Sequence, residues 1–222
     1  MNWAILIIAL LILLLVAIFI FKHLKRLHFN NVVLFTGGVK SGKTTLAVYS
    51  ACKQYKRNLR SFKFKKWLCK KFKKIKMFRK WEELEKPLLY SNIPLAVPFG
   101  YVPFTNDLIN RLERFNYGSV CLLSECSLIA DSFDYKDKVF NENLKLFCKL
   151  FAHETKGGYL FLETQSLSDL HYNFKRVNNS LYWILYKIKI PFFVLFRVKE
   201  VAVNDSDVNV ATLIDNDTDK NK

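Results

Sequence analysis

The sequence predicts an α/β fold: a mostly parallel, helix-flanked sheet, preceded by one apolar helix at the N-terminus. Three observations point there. Short apolar runs at Val32–Thr36, Leu88–Ser91, Val120–Leu123 and Tyr159–Leu162 alternate with helical patterns, the rhythm of parallel strands joined by crossover helices. Polar or glycine-rich residues follow three of these strands, at Gly37, at Ser124-Glu125 and at Gln165. Ligands bind at the carboxyl ends of strands in such sheets, so the three features would form one site. Finally, the 19 residues from Trp3 to Phe21 carry no charge.

That first stretch, WAILIIALLILLLVAIFIF, would rise roughly 28 Å as a helix, enough to span a hydrocarbon core. A cleaved signal peptide fits less well, because no basic residue precedes the run and no small-x-small site follows it. Lys22, His23, Lys25 and Arg26 come next. By the positive-inside rule the N-terminus faces out and the rest of the chain lies in the cytoplasm, as a single-pass protein. The chain therefore divides into an anchor with its basic stop (1–28), a core domain (29–203) and a polar tail (204–222). The tail is rich in Asp and Asn with few aromatics, a composition expected to be disordered.

Gly37-Gly38-Val39-Lys40-Ser41-Gly42-Lys43-Thr44 reads G-x-x-x-x-G-K-T, the phosphate-binding loop of nucleoside triphosphatases. The spacing has a chemical reason. Gly37 and Gly42 let the backbone curl so that successive N–H groups face phosphate oxygens. Lys43 adds a point charge for the β- and γ-phosphates, and the Thr44 hydroxyl can ligate Mg²⁺. Val32–Thr36 before the loop suits a buried strand. Thr45–Cys52 after it suits a helix whose N-terminus favours anions, with Thr45 in its first turn. ATP and Mg²⁺ are the expected ligands.

The net charge of +16 is unevenly placed. Lys22–Lys86 holds 20 Lys/Arg against 3 Glu, and Pro87 to the end is nearly balanced, at 15 against 16 acids. Within 53–86, Phe64, Leu68, Phe72, Ile75, Phe78 and Trp81 recur every three or four residues, with lysines filling the gaps. This is a basic amphipathic helix pattern. Three readings are open: packing on the domain with a solvated basic face, lying on anionic lipid beside the anchor, or contact with nucleic acid.

Leu88–Ser91 is the second strand, ended by Asn92-Ile93-Pro94. Thr105–Arg114 suits a helix that Gly118 closes. Val120–Leu123 is a buried strand. Asn141–Glu154 is helical, with Leu144, Phe147, Leu150 and Phe151 on one face, stopped by Gly157-Gly158. Tyr159–Leu162 is the next strand, and Asp169–Asn179 reads as a polar link. Leu181–Ile190 and Phe192–Val203 look like two strands about Pro191. Lys187, Lys189, Pro191 and Arg197 argue against a second membrane span there. The five cysteines form no C-x-x-C pair and, with only four His, outline no zinc site. They fit free thiols in a reducing compartment.

A triphosphatase must hold Mg²⁺ and align a water on the γ-phosphate. Many use an Asp-Glu pair after an apolar strand, and here the pair is Ser124-Glu125. Glu125 can polarise water, and Ser124 can hydrogen-bond a Mg²⁺-bound water without adding charge. The plain alternative is an ordinary loop glutamate. Gln165 can orient the water or sense the γ-phosphate, or be a simple turn residue. Arg176 as a finger into a neighbour's nucleotide is weaker, since an isolated Arg in a polar link is usually solvated.

GGVKSGKT, LLYSNIP, VCLLSE, FAHETKGG and YLFLETQ occur in the order seen in the zonula occludens toxin-like family, which the chain resembles over about residues 32–196. That family includes the assembly ATPases of filamentous phages and looks related to the FtsK–HerA class of DNA-pumping motors. The resemblance implies roles for Lys43 and Thr44 in ATP and Mg²⁺ binding, for Glu125 in hydrolysis and for Gln165 as sensor. It also implies a homo-oligomer at the host inner membrane, with single-stranded DNA, phage coat and secretion-channel proteins as partners. The chain departs from the family in two ways. Ser124 stands where the family has Asp, and the apolar helix comes before the domain rather than after it. The expected function is a membrane-anchored ATPase that assembles and exports a filamentous phage. The alternatives are a plasmid or conjugation-type DNA translocase, a small-molecule kinase, and a nucleotide-gated tether without turnover.

Overall fold

The fold was established from a computed structural model. It describes residues 29–201 apart from 73–74, 80, 111–114, 130–137, 156, 169, 178–179 and 191–192, and before 29 only Trp3, Ile7, Leu11, Leu15 and Leu27. The expected anchor at 3–21 lies outside the described residues except for those first four positions, which are helical and exposed. Among the described residues no helix is long and apolar enough to cross a membrane. The polar tail from 204 also lies outside them.

Among the described residues, seven strands form one sheet: β1 (Val32–Thr36), β2 (Leu89–Ser91), β3 (Val102–Pro103), β4 (Val120–Leu123), β5 (Tyr159–Glu163), β6 (Ser180–Ile190) and β7 (Phe193–Val201), in the order β3-β2-β4-β5-β1-β6-β7. Every pair from β3 across to β6 is parallel, and only β7 runs antiparallel, against β6. The mostly parallel sheet expected from the alternation is therefore present. Every residue of β1 and β4 is buried, as a sheet covered on both faces requires.

Side chains alternate between the two faces. Val33, Phe35, Leu122, Phe161 and Tyr182 point to one face, where they meet Leu46, Ala47, Ala51 and Tyr55 of helix α1 (Lys43–Lys71). Val32, Leu34, Cys121, Leu123, Leu160 and Leu162 point to the other, against Leu144, Phe147, Cys148 and Phe151 of helix α4 (Lys138–Glu154). Among the described residues, two short α-helices precede α4, namely α2 (Lys76–Arg79) and α3 (Asn106–Asn110), with a 3₁₀ turn at Cys126–Leu128. Helix α3 occupies part of the expected 105–114 helix, whose last four residues lie outside the described ones.

Three differences from the sequence reading have physical causes. First, the helix after the loop does not stop near Cys52. It runs 29 residues to Lys71, because 53–71 contains no Gly or Pro to end it. Second, the aromatic pattern from Phe64 to Trp81 is not one helix. The helix ends at Lys71, where Phe72 leaves the helical conformation and donates its N–H to the Leu68 carbonyl at 2.8 Å. Phe72 instead folds onto Phe78, with centroids 5.8 Å apart, and Phe78 onto Trp81 at 5.3 Å. Third, the polar link at 169–179 contains helix α5 (Tyr172–Val177). It is held by Phe174, which is fully buried, and by the Asn173 side-chain amide donating to the Asn141 carbonyl at 3.1 Å.

Strand β6 pairs with β1 only from Ser180 to Trp183. It then continues past the carboxyl end of β1, paired with β7 out to Ile190–Phe193. This two-stranded ribbon stands beside the loop that follows β1.

Candidate functional site

The loop Gly37–Gly42 turns the chain from the end of β1 into α1. Gly37 sits at φ 148°, and a Cβ there would run into the backbone carbonyl of Ile184 on β6. Gly42 sits at φ 93°, and a Cβ there would lie 2.7 Å from Cδ of Lys187 and 3.0 Å from the Phe196 ring. Both glycines are thus required by backbone conformation and by the close ribbon. Lys40 also adopts a left-handed φ of 63°, and the Ser41 N–H donates to the Gly38 carbonyl at 3.3 Å.

The first helical hydrogen bond of α1 runs from the Leu46 N–H to the Gly42 carbonyl at 3.0 Å. The N–H groups of Lys43, Thr44 and Thr45 therefore have no acceptor within the helix. No side chain caps this end, and no acid lies in the first turn. Gly38, Val39, Lys40, Thr44 and Thr45 are exposed around it, while Ser41 is buried. A curled loop of donors over an uncapped helix N-terminus fits a phosphate chain. Lys43 is only 6% exposed. Its Nζ donates to the Gly38 carbonyl at 3.2 Å and lies 3.9 Å from Oε1 of Glu163.

The ends of β4 and β5 lie next to this loop, since β5 is hydrogen-bonded to both β1 and β4. Ser124 follows β4 and is clamped at its backbone by Asn92 after β2. Its N–H donates to Asn92 Oδ1 at 2.8 Å, and its carbonyl accepts from Asn92 Nδ2 at 2.7 Å. Glu125 is held at φ 50° and ψ 58°, a left-handed conformation uncommon outside Gly and Asn. From there its Oε1 accepts a hydrogen bond from Gln165 Nε2 at 2.8 Å. The structure thus joins the two residues singled out for hydrolysis and sensing. Arg176 falls within α5 rather than in an irregular link.

Glu163 is the site residue that sequence reasoning missed. It ends β5, is fully buried, and accepts a hydrogen bond from the Ser124 hydroxyl at Oε2. The signal was a carboxylate closing an apolar strand, in YLFLE, but its neighbours Ser124 and Lys43 lie 39 and 120 positions away. Beneath it, Cys126 donates its thiol to the Leu123 carbonyl at 3.1 Å. Burial pushes that thiol well above its usual pKa; a backbone hydrogen bond at Glu163 offsets part of the rise, and the Glu163, Cys148 and Glu125 charges add smaller increments to it.

The donor set also fits Mg²⁺, which is bound through one or two protein oxygens and the substrate's phosphates. Thr44 lies in the first turn of α1, and Ser124 and Glu163 stand at the ends of the adjacent strands β4 and β5. When bound, Mg²⁺ neutralises charge developing on the phosphoryl oxygens. The loop amides and the Lys43 ammonium are placed to meet a phosphate chain, and the Glu125–Gln165 pair offers the acceptor and the donor that an aligned water would need.

No protein-family profile matches the chain, and no curated protein matches it in sequence. Among solved structures, it is similar to the N-terminal domain of zonular occludens toxin from Neisseria meningitidis. The identity is 18% and the TM-score 0.43, over 84% of this chain and 91% of that one. It is also similar to the genome packaging NTPase B204 from Sulfolobus turreted icosahedral virus 2 in complex with AMPPCP (15%, TM-score 0.41, 75% and 78%). The ATPase DotB of Legionella pneumophila matches at 11% and a TM-score of 0.41, over 87% and 53%. Similarity at these scores carries no argument about function, and the assignment of the nucleotide site rests on this chain's own strand order, loop and side-chain geometry.

Proposed function

We propose that this chain is a membrane-anchored ATPase that powers assembly and export of a filamentous phage, passing single-stranded DNA with coat protein through the host inner membrane. The observation that carries the hydrolytic part is the 2.8 Å hydrogen bond from Gln165 to Glu125, made beside the strand that bears the phosphate-binding loop. It brings together two residues that follow the carboxyl ends of neighbouring parallel strands, as activation of a water needs. The export part is supported by the order of the five sequence motifs and by the uncharged 19-residue run before the domain. The test is phosphate release from the full chain in detergent, with and without single-stranded DNA. Mg²⁺-dependent release that DNA accelerates is the expected result, and release indifferent to DNA would point away from a DNA motor.

A second reading is a nucleotide-gated membrane tether that binds ATP without turning it over. Ser124 favours it, because the position lacks the usual carboxylate and its hydroxyl is already engaged with Glu163. ATP binding without phosphate release under any condition would select this reading.

A further inference from the structure

We infer that Glu163 supplies the carboxylate of the Mg²⁺ site, replacing from the next strand the charge that Ser124 lacks, with Ser124 as its positioning residue. This rests on the reading of the loop as a nucleotide site. The register makes the exchange possible. Leu123 pairs with Leu162, so Ser124 and Glu163 occupy the next rung, side by side at the carboxyl ends of β4 and β5. On its other flank Glu163 pairs with Phe35 of β1, two residues before the loop. A carboxylate on either strand would face the same gap.

The two oxygens of Glu163 are used differently. Oε2 accepts from the Ser124 hydroxyl, which fixes the carboxylate plane. Oε1 is buried and has no hydrogen-bond partner among the described residues. Its nearest positive charge is Lys43 Nζ at 3.9 Å, beyond hydrogen-bonding distance. A fully buried carboxylate with one unpaired oxygen is costly unless a cation completes it. Lys43 serves as that cation only while it rests near the Gly38 carbonyl. When its ammonium moves to the β- and γ-phosphates, Oε1 loses it. A hydrated Mg²⁺ held by Thr44 and the phosphates then meets the need of the freed oxygen. The carboxylate would act through a metal-bound water, as an acidic residue after a strand does in many phosphate-loop enzymes.

The experiment measures binding of a fluorescent ATP analogue to the full chain in detergent, with Mg²⁺ and with EDTA, for the parent, Glu163→Gln, Ser124→Asp/Glu163→Ser and Lys43→Ala. In the parent, Mg²⁺ should tighten binding at least tenfold. Glu163→Gln should lose that gain while its affinity in EDTA stays at the parental value. The double variant moves the carboxylate to the other strand and should restore the gain. Mn²⁺ binding followed by electron paramagnetic resonance in the presence of the analogue should show the same order. A Glu163→Gln variant with the parental Mg²⁺ gain overturns the inference. So does an equal loss of affinity with and without metal, which would make Glu163 only the counter-charge of Lys43. Should Glu163→Gln fail to fold, the double variant decides alone: a parental gain upholds the inference and no gain overturns it. A parent that binds no analogue in either buffer sinks the nucleotide site itself, and Lys43→Ala then matches it.

Discussion

Gln165 donates its side-chain amide to Glu125 at 2.8 Å, bridging the ends of β5 and β4. The bond restrains the Glu125 carboxylate and couples the two residues. Glu125→Gln keeps the shape and removes the base, so phosphate release should fall by about 10²-fold or more with ATP affinity unchanged. Because the pair acts as a unit, the double variant Glu125→Gln/Gln165→Ala should be little slower than the worse single one. Steady-state release rates measure both.

Lys43 is buried between a carbonyl and a carboxylate. Lys43→Ala removes a charge-assisted contact to the phosphates, worth about 1.5–3 kcal/mol, so ATP should bind roughly 10- to 150-fold more weakly. The same change strips Glu163 of its nearest cation, so the melting temperature without nucleotide should also fall. Affinity and melting curves together separate the two effects.

Gly37 faces the Ile184 carbonyl with no room for a Cβ. Gly37→Ala should therefore push the β6–β7 ribbon away from the loop. The strain of a side chain in this conformation costs about 1–3 kcal/mol, and each kcal/mol lowers the melting temperature by roughly 2–4 °C in a domain of this size. Thermal melting and nucleotide binding should both suffer.

The cysteines predict a pH limit. Burial raises the pKa of Cys121, Cys126 and Cys148 above the ordinary 9.0. In the native chain these three should resist a thiol reagent at neutral pH and react fully only on denaturation. Above pH 9.0 they ionise in the unfolded chain while the folded state keeps its protons. Stability is therefore full below that pH and is lost above it, by up to about 1.4 kcal/mol per pH unit for each thiol. Denaturant titrations at rising pH give the slope.

Phe64 and Trp67 stack with centroids 6.0 Å apart and are 59% and 51% exposed, with Lys71 over the Trp67 ring at 5.0 Å. The opposite side of the same helix packs down through Leu59 and Cys69. If this stripe rests on anionic lipid, Phe64→Ser/Trp67→Ser should weaken vesicle binding of a chain shortened to start at Leu27 by about tenfold or more. Unchanged vesicle binding with loss of DNA binding would assign the stripe to nucleic acid.

The loop, its strand and its helix were legible because their determinants are local: eight residues fix the turn, and the apolar run before them has no other use. Ser124, Glu125 and Gln165 were legible as strand-end polar residues, and their convergence followed from the parallel sheet. Glu163 was not, because its meaning depends on which strands are neighbours, and strand order is set by packing across the whole domain. The end of α1 was obscured by a lysine-rich composition that repeats unbroken through the point where the helix stops. Helix α5 was hidden because one buried phenylalanine and a long-range hydrogen bond from Asn173, rather than a periodic pattern, hold it.

Helix α1 begins at the phosphate-binding loop and ends, 29 residues later, among the basic and aromatic residues. At 1.5 Å per residue it is about 43 Å long. Its first half packs on the sheet through Leu46, Ala47, Ala51 and Tyr55, and the Asn58 amide then donates to the Gly118 and Gly157 carbonyls at 2.7 and 2.9 Å. The helix thus bridges the carboxyl ends of the parallel strands, where the loop lies, to the turns that open β4 and β5 at their amino ends. A displacement of the loop would load those two hydrogen bonds before it reached the charged surface beyond them.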